Sequence, residues 1–215
     1  MPELTTVLFD LDGTLIDSVR LILDSYHHTL SVHQEEPKSD DYWLAGLGTP
    51  LRVQFRPWAD EPGRLDAMVA TYREYNLFHH DSMVSPYPGV VEAVHAIRRA
   101  GYRTGLVTSK NKAGALKGLR LVGLDHAMEL VIGADDVVNP KPHKEPIDTA
   151  LRRLGETAPT ALYVGDSVHD MESGRAAGVK TAAVLWGPFG REQLERTRPD
   201  YWLSEPADLR ALLGV

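Results

Sequence analysis

The sequence predicts an α/β protein: a doubly wound parallel sheet with an α-helical domain inserted after the first strand. Three observations predict it. Short apolar runs rich in β-formers recur along the chain, from "TTVLFD" through "YRTGLVTS", "ELVIGA", "ALYVGD" and "KTAAVLW" to "DYWLS". Helical stretches alternate with the later runs, as parallel βαβ units require. Between Ser18 and Pro86 that alternation stops and only helical periodicity remains.

The elements follow in order. "TTVLFD" reads as a buried strand that ends on Asp10. "DSVRLILDSYHHTLSVHQ" carries a helical stripe through Val19, Ile22, Leu23, Tyr26 and Leu30, with Asp17 or Ser18 as its cap. "TPLRVQF" begins a second helix with a cap residue and a proline. "DEPGRLDAMVATYREYNLF" repeats apolar residues at Leu65, Met68, Val69, Tyr72 and Tyr75. "SPYPGV" marks the return to the main domain. "PGVVEAVHAIRRAG" and "EPIDTALRRLG" are helices stopped by Gly101 and Gly155. The expected domains are a core of residues 1–16 and 87–215 and a helical cap of residues 17–86.

Bulk properties narrow the function. The 215 residues carry a net charge of −7, which argues against a general binder of nucleic acid or anionic membrane. There is no cysteine, so thiolate catalysis, disulfides and Cys-ligated zinc are excluded. No apolar run approaches the roughly 20 residues that span a bilayer. No signal peptide is read at the N-terminus, and a cytoplasmic protein is expected.

In an open parallel sheet, ligands bind beyond the C-terminal strand ends. Polar and acidic residues collect there: Asp10 and Asp12 after the first run, Thr108 and Ser109 after the second, and "GDSVHD" after a later one. Asp10, Asp12, Asp166 and Asp170 cannot all stay ionised side by side without compensation. Mg²⁺, which takes hard oxygen ligands, is the natural partner. Lys141 in "NPKPHKEP" offers a second positive charge.

"DLDGT", "VTS", "KP" at Lys141 and "GDSVHD", in that order over essentially the whole chain, resemble the four motifs of the haloacid dehalogenase superfamily. The resemblance is to its phosphatases with a helical cap on a Rossmann-like core. It implies that Asp10 is the nucleophile, forming an aspartyl-phosphate. Asp12 would be the general acid and then the base, with its carbonyl on the metal. Asp166 would complete the Mg²⁺ site with Asp10 and Asp12, and Asp170 would support it. Thr108, Ser109 and Lys141 would hold the phosphoryl group, with Lys141 also neutralising the nucleophile. Gly13 would allow the turn and Thr14 would support the loop. Asp12 favours phosphoryl transfer over dehalogenation, because an alkyl halide leaves without a proton. Relatives carry "KPxPxP" where this chain has "KPHKEP", which makes Lys144 an alternative to Lys141.

"GLGTPLR" resembles the cap loop that faces the site in relatives, which implies that Gly46, Thr49 and Arg52 face the substrate. His79 and His80, adjacent on a helix, point apart and are not read as a metal pair; His169 lies near the carboxylates. "NLFHHDSMVSPYPGV" and "GREQLERTRPDYWL" resemble phosphoglycolate phosphatases and, still more, a related pyrophosphatase branch. The expected activity is Mg²⁺-dependent hydrolysis of a small phosphorylated metabolite, phosphoglycolate first. Pyrophosphate hydrolysis and a β-phosphoglucomutase-like phosphosugar mutase are the alternatives. A roomy cap favours a phosphomonoester; a tight, basic one favours pyrophosphate. A monomer or homodimer is expected, with no nucleic-acid or membrane partner.

Overall fold

A computed structural model describes residues 3–215. The chain enters at β1 (Thr6–Phe9), whose four residues are all buried, and turns through residues 10–15 into a two-residue strand, β2 (Ile16–Asp17). Four helices follow: α1 (Val19–Val32), α2 (Asp40–Ala45), α3 (Leu51–Gln54) and α4 (Arg64–Met83). β3 (Ser85–Pro86) pairs antiparallel with β2, Ile16 opposite Pro86 and Asp17 opposite Ser85. The helical segment therefore leaves and re-enters through one two-stranded ribbon. The sequence showed no strand there, because two residues with a proline carry no periodicity.

Helices and strands then alternate: α5 (Val90–Arg99), β4 (Arg103–Val107), α6 (Lys112–Leu121), β5 (Leu130–Ile132), α7 (Glu145–Leu154), β6 (Ala161–Gly165), α8 (Val168–Ala177), β7 (Lys180–Val184), α9 (Arg191–Glu195), β8 (Tyr201–Leu203) and α10 (Pro206–Leu213). The six long strands lie in the order β5-β4-β1-β6-β7-β8. Every neighbouring pair in that sheet is parallel. β1 is flanked by β4 and β6, and the chain builds outwards first on one side and then on the other. The switch point lies between β1 and β6, where such sheets open a crevice for ligands.

Both sheet faces are covered, which is why the strands read as continuous apolar runs. On one face Val7 and Phe9 pack with Val94 and Ile97 of α5, Leu119 of α6 and Leu209 of α10. On the other, Leu8 and Tyr163 pack with Ile147, Leu151 and Leu154 of α7. The inserted helices have a separate core around Tyr26, Leu30, Trp43, Phe55 and Met68. Aromatic rings dominate it: Tyr26 and Trp43 stack at 4.2 Å and 4°, with Phe55 edge-on to Tyr26 at 5.5 Å. No helix of the described residues is long and apolar enough to cross a membrane.

Candidate active site

The floor of the site is the turn after β1. Asp10 N–H donates to Val164 O at 2.9 Å, so the carboxylate stays at the end of the sheet, against β6. Gly13 takes φ +87°, a left-handed conformation that favours glycine. A Cβ there would stand 2.5 Å from Asp166 Oδ2. The Gly13 turn thus lets the β1 loop lie directly on the β6 loop. Thr14 Oγ1 donates to Asp166 Oδ1 at 2.9 Å and supports that loop, as the sequence suggested. Trp186 Nε1 holds Thr14 O at 2.9 Å from the loop after β7.

After β6, Ser167 starts α8. Its hydroxyl accepts from Asp170 N–H at 3.2 Å, while Asp170 Oδ2 accepts from Ser167 N–H at 3.0 Å. This reciprocal cap satisfies two orphan amides of the first turn and places Asp170 beneath the site. Carboxylate oxygens of Asp10, Asp166 and Asp170 come within 4.8 Å of one another, all buried. Lys141 enters from the loop before α7, only 3% exposed. Its ammonium donates to Asp170 Oδ1 at 2.6 Å, Asp10 Oδ1 at 2.9 Å and Tyr163 OH at 3.0 Å. Those three acceptors use all three of its N–H groups.

Three buried carboxyls thus share one cation, and their acidities divide accordingly. Burial pushes Asp10 up to about 7; Lys141 works against that rise, and Asp170 and Asp12 add to it. Asp166, buried beside Asp170 and Asp10, is pushed well above the usual carboxylate range. Asp170 goes the other way: burial alone would raise it, but Lys141 and the Ser167 donors hold it below its ordinary value. Lys141 itself is raised, because Asp10 and Asp170 outweigh its desolvation. The two raised carboxyls mark an unmet need for positive charge. An all-oxygen donor set with that deficit fits a hard divalent cation.

Asp12 lies apart from this trio. Lys110 Nζ stands 2.8 and 3.1 Å from its two oxygens, and Ser18 Oγ donates at 2.6 Å. Asp17 or Ser18 was expected as the cap of α1; Ser18 occupies that position, yet its hydroxyl serves Asp12 and makes no cap bond. Thr108 is buried at the end of β4 and accepts from Lys110 N–H at 3.2 Å. The buried Ser109 hydroxyl has no partner among the described residues.

A cavity of about 540 Å³ lies over this floor, between core and cap. Asp10, Asp12, Thr108, Ser109, Lys141 and Asp166 line its lower side. Much of its upper side is apolar, with Ile22, Tyr26, Leu47, Leu51 and Tyr72. Of the cap residues singled out in the sequence, Thr49 and Arg52 line the cavity. Arg52 pairs with Asp66 at 2.5 Å. Gly46 lies behind, at the end of α2, its carbonyl accepting from Gln54. Lys144 is half exposed and pairs with Asp148 at 3.5 Å, so Lys141 is the lysine at Asp10. His80 is buried and bonds Asp81 at 2.8 Å, whereas His79 packs on Tyr75 with ring centres 4.4 Å apart. His169 Nδ1 meets Leu47 O of the cap loop at 3.3 Å.

Sequence reasoning missed Lys110 and Tyr163. Lys110 had a signal, since it directly follows the Thr108–Ser109 strand end. Tyr163 had a weaker one, a hydroxyl in an otherwise apolar strand.

The haloacid dehalogenase-like hydrolase family model matches residues 7–184. Two pyrophosphatases called PpaX are similar over nearly the full length. The one from Anoxybacillus flavithermus is 42% identical over 99% of this chain and 98% of its own. The one from Halalkalibacterium halodurans is 40% identical over the same shares. Among solved structures, a predicted phosphoglycolate phosphatase from Haemophilus somnus superposes with a TM-score of 0.83 at 22% identity, covering 99% of both chains. Motif order, strand order and the convergence of these carboxylates agree with that match: the chain belongs to the haloacid dehalogenase-like hydrolases.

Proposed function

We propose that this chain is a Mg²⁺-dependent phosphohydrolase that works through an aspartyl-phosphate on Asp10, with pyrophosphate as its leading substrate. The observation that carries this is the convergence of Asp10, Asp12, Thr108, Lys141 and Asp166 on the floor of one cavity. A binding module has no use for Asp12 there. Pyrophosphate comes first because relatives 40–42% identical along the whole chain are pyrophosphatases.

In this reading an oxygen of Asp10 attacks phosphorus while the bond to the leaving oxygen breaks. Asp12 delivers a proton to that oxygen as it departs. Water then attacks the phosphorus of the aspartyl-phosphate, giving its proton to Asp12, and phosphate leaves with Asp10 restored. Lys141 neutralises Asp10 and the phosphoryl oxygens, and Thr108 and the Ser109 N–H hold those oxygens in line. Asp10 and Asp166, with the Asp12 carbonyl, would hold Mg²⁺, and Asp170 would anchor Lys141 behind them. Mg²⁺, when bound, supplies the positive charge that phosphoryl transfer needs and that the floor lacks.

One observation favours a second reading, a small phosphomonoester such as phosphoglycolate. The cavity is roomy and its roof is largely apolar, which suits an organic leaving group better than a bare anion. Phosphate release from pyrophosphate, phosphoglycolate and phenyl phosphate, each with and without Mg²⁺, tests both. Mg²⁺-dependent release is expected, and the ranking of kcat/KM chooses the substrate. No release from any phosphate compound overturns the proposal.

A further inference from the structure

We infer that Lys110 is a specificity-determining residue: its ammonium leaves Asp12 to bind a second anionic group on the leaving side of the substrate. This selects phosphate compounds with such a group, a second phosphate or a carboxylate, over those with neutral leaving groups. The inference rests on the hydrolase reading above and deepens it.

The two lysines of the floor differ in what holds them. Lys141 is locked, with three acceptors for three N–H groups and a side chain 1% exposed. The Lys110 side chain is 15% exposed, and its ammonium meets only the two oxygens of one carboxylate. At least one of its N–H groups therefore lacks a protein acceptor. Its partner, Asp12, keeps the Ser18 hydroxyl at 2.6 Å when Lys110 moves. In the reading above Asp12 then carries the proton that it delivers, so the move of Lys110 to a substrate anion strands no charge.

The positions of the two lysines match the two ends of a substrate with two anionic groups. Lys141 sits on Asp10, where the transferred phosphoryl group lands. Lys110 sits on Asp12, which faces the oxygen that departs. Four cationic residues line the cavity among the described residues: Arg52, Arg73, Lys110 and Lys141. Arg52 pairs with Asp66 and is more than half exposed, and Arg73 is exposed on α4. The roof near Asp12 offers Tyr26 and Tyr72, whose hydroxyls stay neutral because burial raises them, with Asp12 adding to the effect. Lys110 is thus the cation placed for an anion on the leaving side.

The test compares Lys110→Met and Lys110→Arg with the wild-type enzyme on pyrophosphate, phosphoglycolate and phenyl phosphate. The expected result is a kcat/KM loss in Lys110→Met at least about tenfold larger for the two substrates with an anionic leaving group than for phenyl phosphate, in line with a lost charge-assisted hydrogen bond. Much of the loss should appear in KM, and Lys110→Arg should recover part of it. Activity on phenyl phosphate reports that the variant is folded. Equal losses on all three compounds would assign Lys110 to holding Asp12 alone and overturn the inference, as would no loss on any. A wild-type enzyme that cleaves only phenyl phosphate overturns it too. A wild-type enzyme silent on every compound removes the hydrolase reading and this inference together.

Discussion

The floor and the roof of the cavity are built on opposite principles. The floor buries charge: Asp10, Asp166, Asp170 and Lys141 are each 6% exposed or less, tied together by short polar contacts. The roof gathers rings: Tyr26, Trp43 and Phe55 are buried and pack edge and face with the partly buried Trp58 and Tyr72. Buried charges held by geometry are pre-organised for phosphoryl chemistry and cannot shift without stranding one another. A ring cluster has no such constraint, so a cap that moves would do so as a body on the ribbon of β2 and β3. Damage to the floor should therefore stop turnover, while damage to the roof should change affinity and stability.

The largest effect is expected at Asp10. Asp10→Asn should lower kcat by at least about a thousandfold, because an amide does not form the acyl-phosphate. Circular dichroism should match the wild-type protein, since an Asn oxygen still accepts from Lys141, and thermal melting of the metal-free protein should not fall, because the amide removes a buried charge. Retained turnover with any phosphate substrate would place the nucleophile elsewhere. Asp12→Asn should cost on the order of a hundredfold or more for phenyl phosphate. The loss should be smaller for p-nitrophenyl phosphate, whose leaving group needs less help from a proton. Equal losses for the two esters would remove Asp12 from proton transfer.

That ranking reflects what the sequence made legible. The six long strands were readable because burial on both faces makes continuous apolar runs. Asp10, Asp12, Thr108, Asp166 and Asp170 were readable because strand ends in parallel sheets face ligands, and motif order reinforced them. Helices α6 and α8 were not singled out. Glycines and charges interrupt both apolar stripes, and α8 opens on Ser167 and Asp170, read first as chemistry rather than as a cap. Ser18 is the reverse case, a cap position whose hydroxyl went to Asp12. Lys110 stayed hidden because its meaning lies in a contact with Asp12, 98 residues away in sequence. The roof was legible only as helices: ring stacking depends on helix crossing, which periodicity does not report.

A roof substitution gives the next effect. Trp43 is fully buried, and its replacement by alanine should destabilise the protein by about 3–5 kcal/mol. Trp43→Phe should cost less, because it also removes an indole N–H that has no hydrogen-bond partner among the described residues. For the folded fraction, KM should rise more than kcat falls. A kcat loss as deep as that of Asp10→Asn would mean that roof and floor are one rigid unit.

The charge deficit of the floor predicts a pH-dependent metal effect. In the metal-free protein Asp10 keeps its proton up to about pH 7, while an ordinary Asp loses it near 3.8. The folded state therefore binds more protons than the unfolded chain between those values, and this contribution to stability is lost as pH rises through about 7. His80, lowered by burial, works in the opposite sense but is common to samples with and without metal. Mg²⁺ replaces the proton, so its stabilisation should be greater at pH 8 than at pH 5.5. A difference of about 2 kcal/mol corresponds to roughly 4–8 °C in Tm for a chain of this size. Equal shifts at both pH values would detach the raised carboxyls from metal binding.

The smallest effect is expected where roof meets floor. Gly48, in the cap loop, takes φ +90°, and a Cβ there would lie 3.2 Å from His169 Nδ1 and 3.3 Å from Ser167 Oγ. Alanine pays about 1–2 kcal/mol for a left-handed conformation. Crowding against the first turn of α8 adds to that, and a cap that opens would avoid both by lifting the loop away from α8. Gly48→Ala should therefore lower kcat/KM about three- to tenfold, with Tm almost unchanged, because the open cap escapes the strain. A fall in Tm with unchanged kcat/KM would show that the loop keeps this conformation whether the cap is open or closed, and that the contact with His169 belongs to the fold rather than to closure.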